Sequence, residues 1–430
     1  MASRPRATPA RARADRGCAA GAKVFVRLRH ITDSSSYSTP GGSSPARPTV
    51  PHVSALDGLR GTAALGVAVG HVWLYVKGDG AAPDGRLLNG LLGEGRLGMP
   101  LFFVLSGFLI FRPFAAAALD GRAQPRLWPY ALRRGARIVP AYWLVILASA
   151  LLLAFLEHPA AQPASEVMSY LVFLQNYREG THGGIDPPTW SVAVEVSFYV
   201  AVPLLGLAAA RACRRLRRPA ARRRVLAAVC LLIAALGCWL IGQGTLHGWP
   251  GTTTDTLPVR MGSFGAGMLV AVLTHGRRLT VGPATALAAA GVALVATETA
   301  ARIYGLGPEA WRQALIDTPV TIGFAMVIGA IVAGRPVGAV IMERGPLQRF
   351  GAYSYGLYLV HYPVIKVLRS FEAFPRDPAL AVLVVVGISL ALAMLLWRFV
   401  ERPAIAWAHR RTPSRRTATR PAYAKAASGD

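Results

Sequence analysis

The chain holds 430 residues, 53% hydrophobic and only 16% charged, with a formal net charge of +26. A soluble chain of this length would carry about 25% charged residues; here the apolar residues fall in blocks of about twenty, the length that crosses a bilayer, which excludes an ordinary soluble multidomain protein. The basic excess does not mark a nucleic-acid binder either, because only four of the 47 basic residues are lysine and the arginines gather in the chain ends and in alternate loops, a topology signal.

In chain order, residues 1–52 form a Ser/Pro/Arg-rich basic arm that reads as disordered, with no apolar stretch before a cleavage site and so no expected signal peptide. The predicted fold class is an all-α integral membrane protein, a polytopic bundle of about ten transmembrane helices within residues 53–403. The spans fall near 55–76, 98–119, 138–157, 188–210, 225–243, 257–274, 280–298, 317–334, 350–369 and 379–400. Residues 404–430 read as a disordered basic tail. The loop after span two is rich in arginine against Asp120 alone, and the loop after span four runs from Arg211 to Arg224 without an acid. The connections between these are nearly balanced in charge. The positive-inside rule therefore puts both termini in the cytoplasm of a plasma (inner) membrane protein. Cys18, Cys213, Cys230 and Cys238 show neither metal-ligand spacing nor a disulfide pattern, and no metal site is expected.

Within this apolar frame the ionisable residues stand out. In ALDGLRGTAALGVAVGHVW, Arg60 and His71 are eleven residues apart, which returns them to one helix face about 16 Å apart along the axis, with Asp57 one turn before Arg60. Polar stripes of this kind usually face a site. Counting residues from the membrane faces brings His71 of span one, Glu195 of span four and, slightly lower, His361 of span nine to similar depth. His71 and Glu195 together read as functional; a packing role remains open for His361, and structural pairing for Asp57 and Arg60. Gly66 and Gly70 form a GxxxG pair suited to close helix approach.

These residues carry a resemblance. The chain resembles the membrane acyltransferase-3 family, ten-span enzymes that O-acylate glycans, lipids and natural products. The matching motifs occur in order: Arg60 and His71 as an Arg-x10-His; GMPLFFVLSGFLI with Ser106; Arg134 and Arg137 in RRGARIVPAYW; Trp190, Ser191, Glu195 and Tyr199 in TWSVAVEVSFYV; Arg260; SYGLYLVHYPV with Tyr358 and His361; and a closing ERP. One departure is Met99-Pro100, where many members carry an acidic residue before the FF pair. The 27 residues after Pro403 are too few for the esterase domain some members append, so transfer is expected to be completed within the membrane domain.

The resemblance implies acyl-CoA, commonly acetyl-CoA, as co-substrate with no bound cofactor, and a hydroxyl-bearing glycan, lipid or natural product as acceptor. Arg133, Arg134 and Arg137 suit the phosphates of CoA, since guanidinium forks bind phosphate oxygens bidentately. His71 is the candidate base or transient acyl carrier, Glu195 its orienting carboxylate, and Arg60 a clamp or oxyanion stabiliser. Asp57, Ser106, Trp190, Ser191, Tyr199, Arg260, Tyr358 and His361 support the site. The rival reading is a proton-coupled transporter or flippase, which would use the same intramembrane charges.

Overall fold

A computed structural model describes residues 53–78, 86–156 and 163–412, and these are helical with no strand among them. The basic arm 1–52 lies outside the described residues. The principal helices are α1 (Ser54–Gly78), α2 (Gly98–Leu119), α3 (Leu127–Leu156), α4 (Trp190–Arg214), α5 (Pro219–Leu246), α6 (Leu257–Thr274), α7 (Val281–Tyr304), α8 (Thr318–Ala333), α9 (Pro346–Ser370), α10 (Pro378–Leu396) and α11 (Arg402–Arg411).

Each of the ten expected spans falls on one of α1 to α10. Among the described residues, eight helical stretches are long and apolar enough to cross a membrane. The other two differ for separate reasons. Helix α8 is apolar but has only 16 residues. Helix α9 has 25 residues, but Ser354, His361 and Lys366 interrupt its apolar sequence. Large side chains such as Leu151, Leu204, Leu232 and Leu383 are exposed around the bundle. In water such a belt would drive aggregation; in a bilayer it is the lipid-facing surface. The chain is a multi-pass membrane protein.

Lipid tails are as apolar as leucine, so helices here associate through close packing rather than through exclusion of water. Small residues permit it. A Cβ at Gly351 of α9 would lie 2.2 Å from the Asp57 carbonyl oxygen of α1, so backbone meets backbone along that pair. The GxxxG stripe of α1 also packs closely, though against a 3-10 turn, Glu94–Leu97: a Cβ on Gly95 would lie 2.1 Å from the Gly66 oxygen. Between α2, α4 and α6, Phe103, Phe264 and Phe198 stack with ring centroids 4.7 and 4.2 Å apart.

Two boundaries differ from those expected. Helix α3 starts at Leu127, not near 138, so Arg133, Arg134 and Arg137 lie on a helix and not in a loop. Hydropathy marks only the apolar part of a helix, and Pro129 within the first turn is compatible with starting it early. The stretch from residue 404 begins as helix α11, with Pro403 again near a helix start; α11 follows a π-helical turn, Trp397–Glu401, at the end of α10. The rest of the expected tail, from 413, lies outside the described residues.

The segment before α4 folds into the bundle. It consists of a short helix, Ala164–Leu171, and 3-10 turns Gln175–Tyr177 and Pro187–Thr189. Gln175, Asn176, Asp186 and Thr189 are buried there. Burying backbone and amides needs partners, and they exist: Gln175 donates to Tyr142 Oη and the Thr189 carbonyl, both at 3.1 Å, and Asn176 donates to the Trp190 and Asp255 carbonyls at 2.8 and 2.7 Å.

Candidate active site

Arg60 and His71 do share a face of α1, but they serve different layers. Arg60 lines a narrow cavity of about 80 Å3 bounded by α1, α2, α3, α4 and α9. The same cavity is lined by Ser106, Arg134, Arg137, Ser191, Glu195, Tyr199 and Tyr358. Three guanidinium groups thus converge on one small space. Arg60 faces the like charge of Arg137 and the opposite charges of Glu195 and Asp57.

Glu195 is held on one oxygen. Ser106 Oγ donates to its Oε1 at 2.6 Å, and Tyr199 Oη, one turn further along α4, donates to the same atom at 2.8 Å. The Arg134 guanidinium lies over the Tyr199 ring, 5.7 Å from its centroid. Arg137 reaches Glu401 at 3.6 Å, a carboxylate 1% exposed in the π-helical turn, and lies over Trp397 at 5.8 Å. Arg137 is therefore shared between a buried acid and the cavity. Arg133 does not line the cavity; it is exposed and donates to Thr412 Oγ1 at 3.2 Å. Its neighbours in sequence turn inward because successive helical positions are rotated by about 100°.

The upper layer is a histidine pair. His71 Nδ1 lies 3.0 Å from His361 Nε2, with ring centroids 5.0 Å apart. His361 is fully buried, and its Nδ1 is 2.7 Å from the Tyr358 carbonyl oxygen. One turn above, Tyr75 Oη donates to Tyr362 Oη at 2.8 Å. Tyr358 links the layers: its hydroxyl faces Ser191 Oγ at 2.6 Å and donates to the Pro188 carbonyl, while its ring centroid is 5.7 Å from that of His361. Tyr358 lines the cavity as well.

The expected juxtaposition of His71 and Glu195 is not what the fold builds. Ser191 is level with Tyr358; Glu195 is one turn along α4 toward Arg60, and His361 is one turn along α9 the other way. The carboxylate therefore lies about 10 Å below the histidines at 1.5 Å per residue. The depth count placed the start of span four at the outer face, whereas α4 begins at Trp190, already inside the bundle, because the segment before it is folded inward.

Trp190 and Arg260 belong to a second cavity, of about 410 Å3, with Arg96, Trp249 and Asp317 in its wall. Arg260 lies over the Trp190 ring at 4.7 Å and pairs with Asp255 at 2.6 Å; Arg96 pairs with Asp317 at 2.5 Å. Met99 and Phe103 line both cavities. Asp57 lines neither and packs beside Gly351. Among the described residues no group of three or more His, Cys, Asp or Glu is placed to hold a metal.

Sequence reasoning missed Asp186. It is 1% exposed and neither carboxyl oxygen has a hydrogen-bond partner. Burial pushes its carboxyl well above the usual carboxylate range, against the pull of the Lys366 ammonium. The run Ile185-Asp186-Pro187-Pro188 looks like a loop, and only burial reveals it. Ser354 and Tyr355, also in the cavity wall, lay within a recognised motif without being singled out.

The fold and the arginine-lined cavity define a polytopic helical membrane protein with an anion-compatible internal site. The chain belongs to the acyltransferase-3 family: residues 53–398 match the family model described as an acyltransferase domain. It is 25% identical over 392 residues to acyltransferase MdmB of Streptomyces mycarofaciens, covering 85% of this chain and 95% of that protein. It is 24% identical to peptidoglycan O-acetyltransferase OatA of Listeria monocytogenes, and 24% identical to putative peptidoglycan O-acetyltransferase YrhL of Bacillus subtilis. Each of those two matches covers 82% of this chain but only 56% and 55% of the relative, so the chain spans little over half of their length. No solved structure matches the chain.

Proposed function

We propose that the protein moves an acyl group, in the first instance acetyl, from acyl-CoA at the cytoplasmic face to a hydroxyl of a glycan, glycolipid or natural product. The observation that carries this reading is the convergence of Arg60, Arg134 and Arg137 on one cavity below the contact between half-buried His71 and fully buried His361. Both termini are cytoplasmic and ten helices cross the membrane, the short α8 and the polar α9 included. This orientation puts the start of α3, with its arginines, where cytoplasmic CoA is available.

Arg134 and Arg137 bind CoA phosphates. Arg60 clamps the donor deeper, since about 16 Å along α1 separates it from His71. The pantetheine arm passes Glu195 and Tyr358 toward the histidines. His71 takes the proton of the acceptor hydroxyl as its oxygen forms a bond to the thioester carbonyl carbon. The tetrahedral oxyanion collapses, the carbon–sulfur bond breaks, and CoA leaves as thiolate, which takes the proton back from His71 to become the thiol and returns the histidine to its neutral form. Glu195, held by Ser106 and Tyr199, supplies countercharge to the arginines and not a partner for His71.

The test uses purified protein in nanodiscs with acetyl-CoA labelled on the acyl group, wild type beside His71→Ala, first without acceptor. CoA release or label on histidine, lost in the variant, supports the reading. No donor binding and no turnover, even with longer acyl-CoAs and a mixture of hydroxyl acceptors, would refute it and favour transport.

A further inference from the structure

We infer that His361 is a positioning residue that fixes the tautomer of His71 and leaves Nε2 of His71 as its basic nitrogen. The inference rests on the role for His71 proposed above, and it follows from three hydrogen-bonding contacts. The Tyr358 carbonyl oxygen can only accept, so the 2.7 Å contact to His361 Nδ1 requires the proton on that nitrogen. The Leu357 carbonyl, 3.3 Å from the same atom, demands the same. In a neutral imidazole the lone pair is then on Nε2. His361 is fully buried, and none of its three hydrogen-bonding neighbours is an anion, so a second proton there has no countercharge.

The proton between the two rings must therefore come from His71. Its Nδ1, 3.0 Å from His361 Nε2, is the donor. His71 is left with its lone pair on Nε2. One proton direction runs through the series: His71 to His361 to the α9 backbone. When His71 takes a proton at Nε2, its Nδ1–H still points at a lone pair, so the cation that forms keeps its partner. A carboxylate performs this service in hydrolase triads. A neutral imidazole performs it here without placing a negative charge among the spans, where ionised groups are costly. The same tautomer presents Nε2 as nucleophile if an acyl-histidine forms, so the assignment holds for either route.

Two measurements test this. The first is independent of activity: nitrogen NMR of the full chain in nanodiscs, with histidine rings labelled with nitrogen-15. The nine histidines are resolved by the signals lost in His71→Gln and in His361→Gln. Both rings are expected to carry the proton on Nδ1, the minority tautomer of a histidine free in water. A His71 ring protonated on Nε2 at neutral charge would overturn the inference.

The second is kinetic. His361→Gln can place a carboxamide oxygen near the lost Nε2, and is expected to keep kcat within about tenfold of wild type. His361→Leu fills the space without accepting a hydrogen bond. It is expected to lose on the order of a hundredfold in kcat, the scale of general-base catalysis, with the donor KM unchanged. Equal activity in the leucine variant would mean that His361 only packs. A glutamine variant as inactive as His71→Ala would mean that His361 itself reacts. Wild-type protein that transfers no acyl group would sink the enzymatic reading, while the NMR result would still decide the tautomer.

Discussion

At the residue scale the site divides into charges below and histidines above. His71→Ala is expected to abolish transfer with undiminished membrane expression; wild-type activity in that variant would remove His71 from the chemistry. Arg134→Ala is expected to raise the donor KM by about tenfold or more, the worth of one charge-assisted hydrogen bond. Arg133→Ala should change it little, because Arg133 is exposed and turned away from the cavity. Equal effects of the two would show bulk charge, not the cavity, to be what matters. Asp186 makes a different prediction. Its carboxyl keeps a proton in the folded state that the unfolded chain gives up near pH 4. Between those two pKa values the folded state binds more protons, so stability falls as pH rises. Asp186→Asn removes that slope, and its melting temperature in detergent should exceed wild type by a margin that grows as pH rises above about 4, to about 2–4 °C. Parallel pH profiles would mean that Asp186 does not titrate in this range.

At the scale of elements, the joint between α1 and α9 carries the histidine pair, and its closeness depends on glycine. A methyl at Gly351 would drive into the Asp57 carbonyl, which is backbone and has nowhere to yield. Gly351→Ala is expected to cost about 1–3 kcal/mol, the range for overpacking, and to lower both thermal stability and transfer. Unchanged stability would mean that the two helices separate freely. This joint was only partly legible. The GxxxG stripe of α1 announced close packing, but its partner is the turn around Gly95, while α9 packs beside Gly61. The early start of α3 was hidden for a related reason: hydropathy reports where a helix enters lipid, not where it begins. The span on α9 was placed with the others, although the polar residues Ser354, His361 and Lys366 make it a poorer apolar segment than its neighbours.

For the whole molecule, the arginine-rich loops predict which way the bundle is oriented. Cysteines placed singly in the connection between α4 and α5 should be shielded from impermeant thiol reagents in intact cells and labelled after the membrane is opened. Labelling in intact cells would invert the orientation and put the arginines proposed to bind CoA on the wrong face. The sequence by itself determined the membrane class, the all-helical fold and the family, since each depends on local properties: apolar length, helix-compatible composition and ordered motifs. It also marked Arg60, His71, Glu195 and His361 as residues out of place in lipid. Only the tertiary structure decided their company. His71 and His361 are separated by 290 positions, and no local period encodes which distant helix a face will meet. The inward fold before Trp190 then shifted Glu195 away from His71, because depth in a bundle follows where a helix begins in space rather than how many residues precede it.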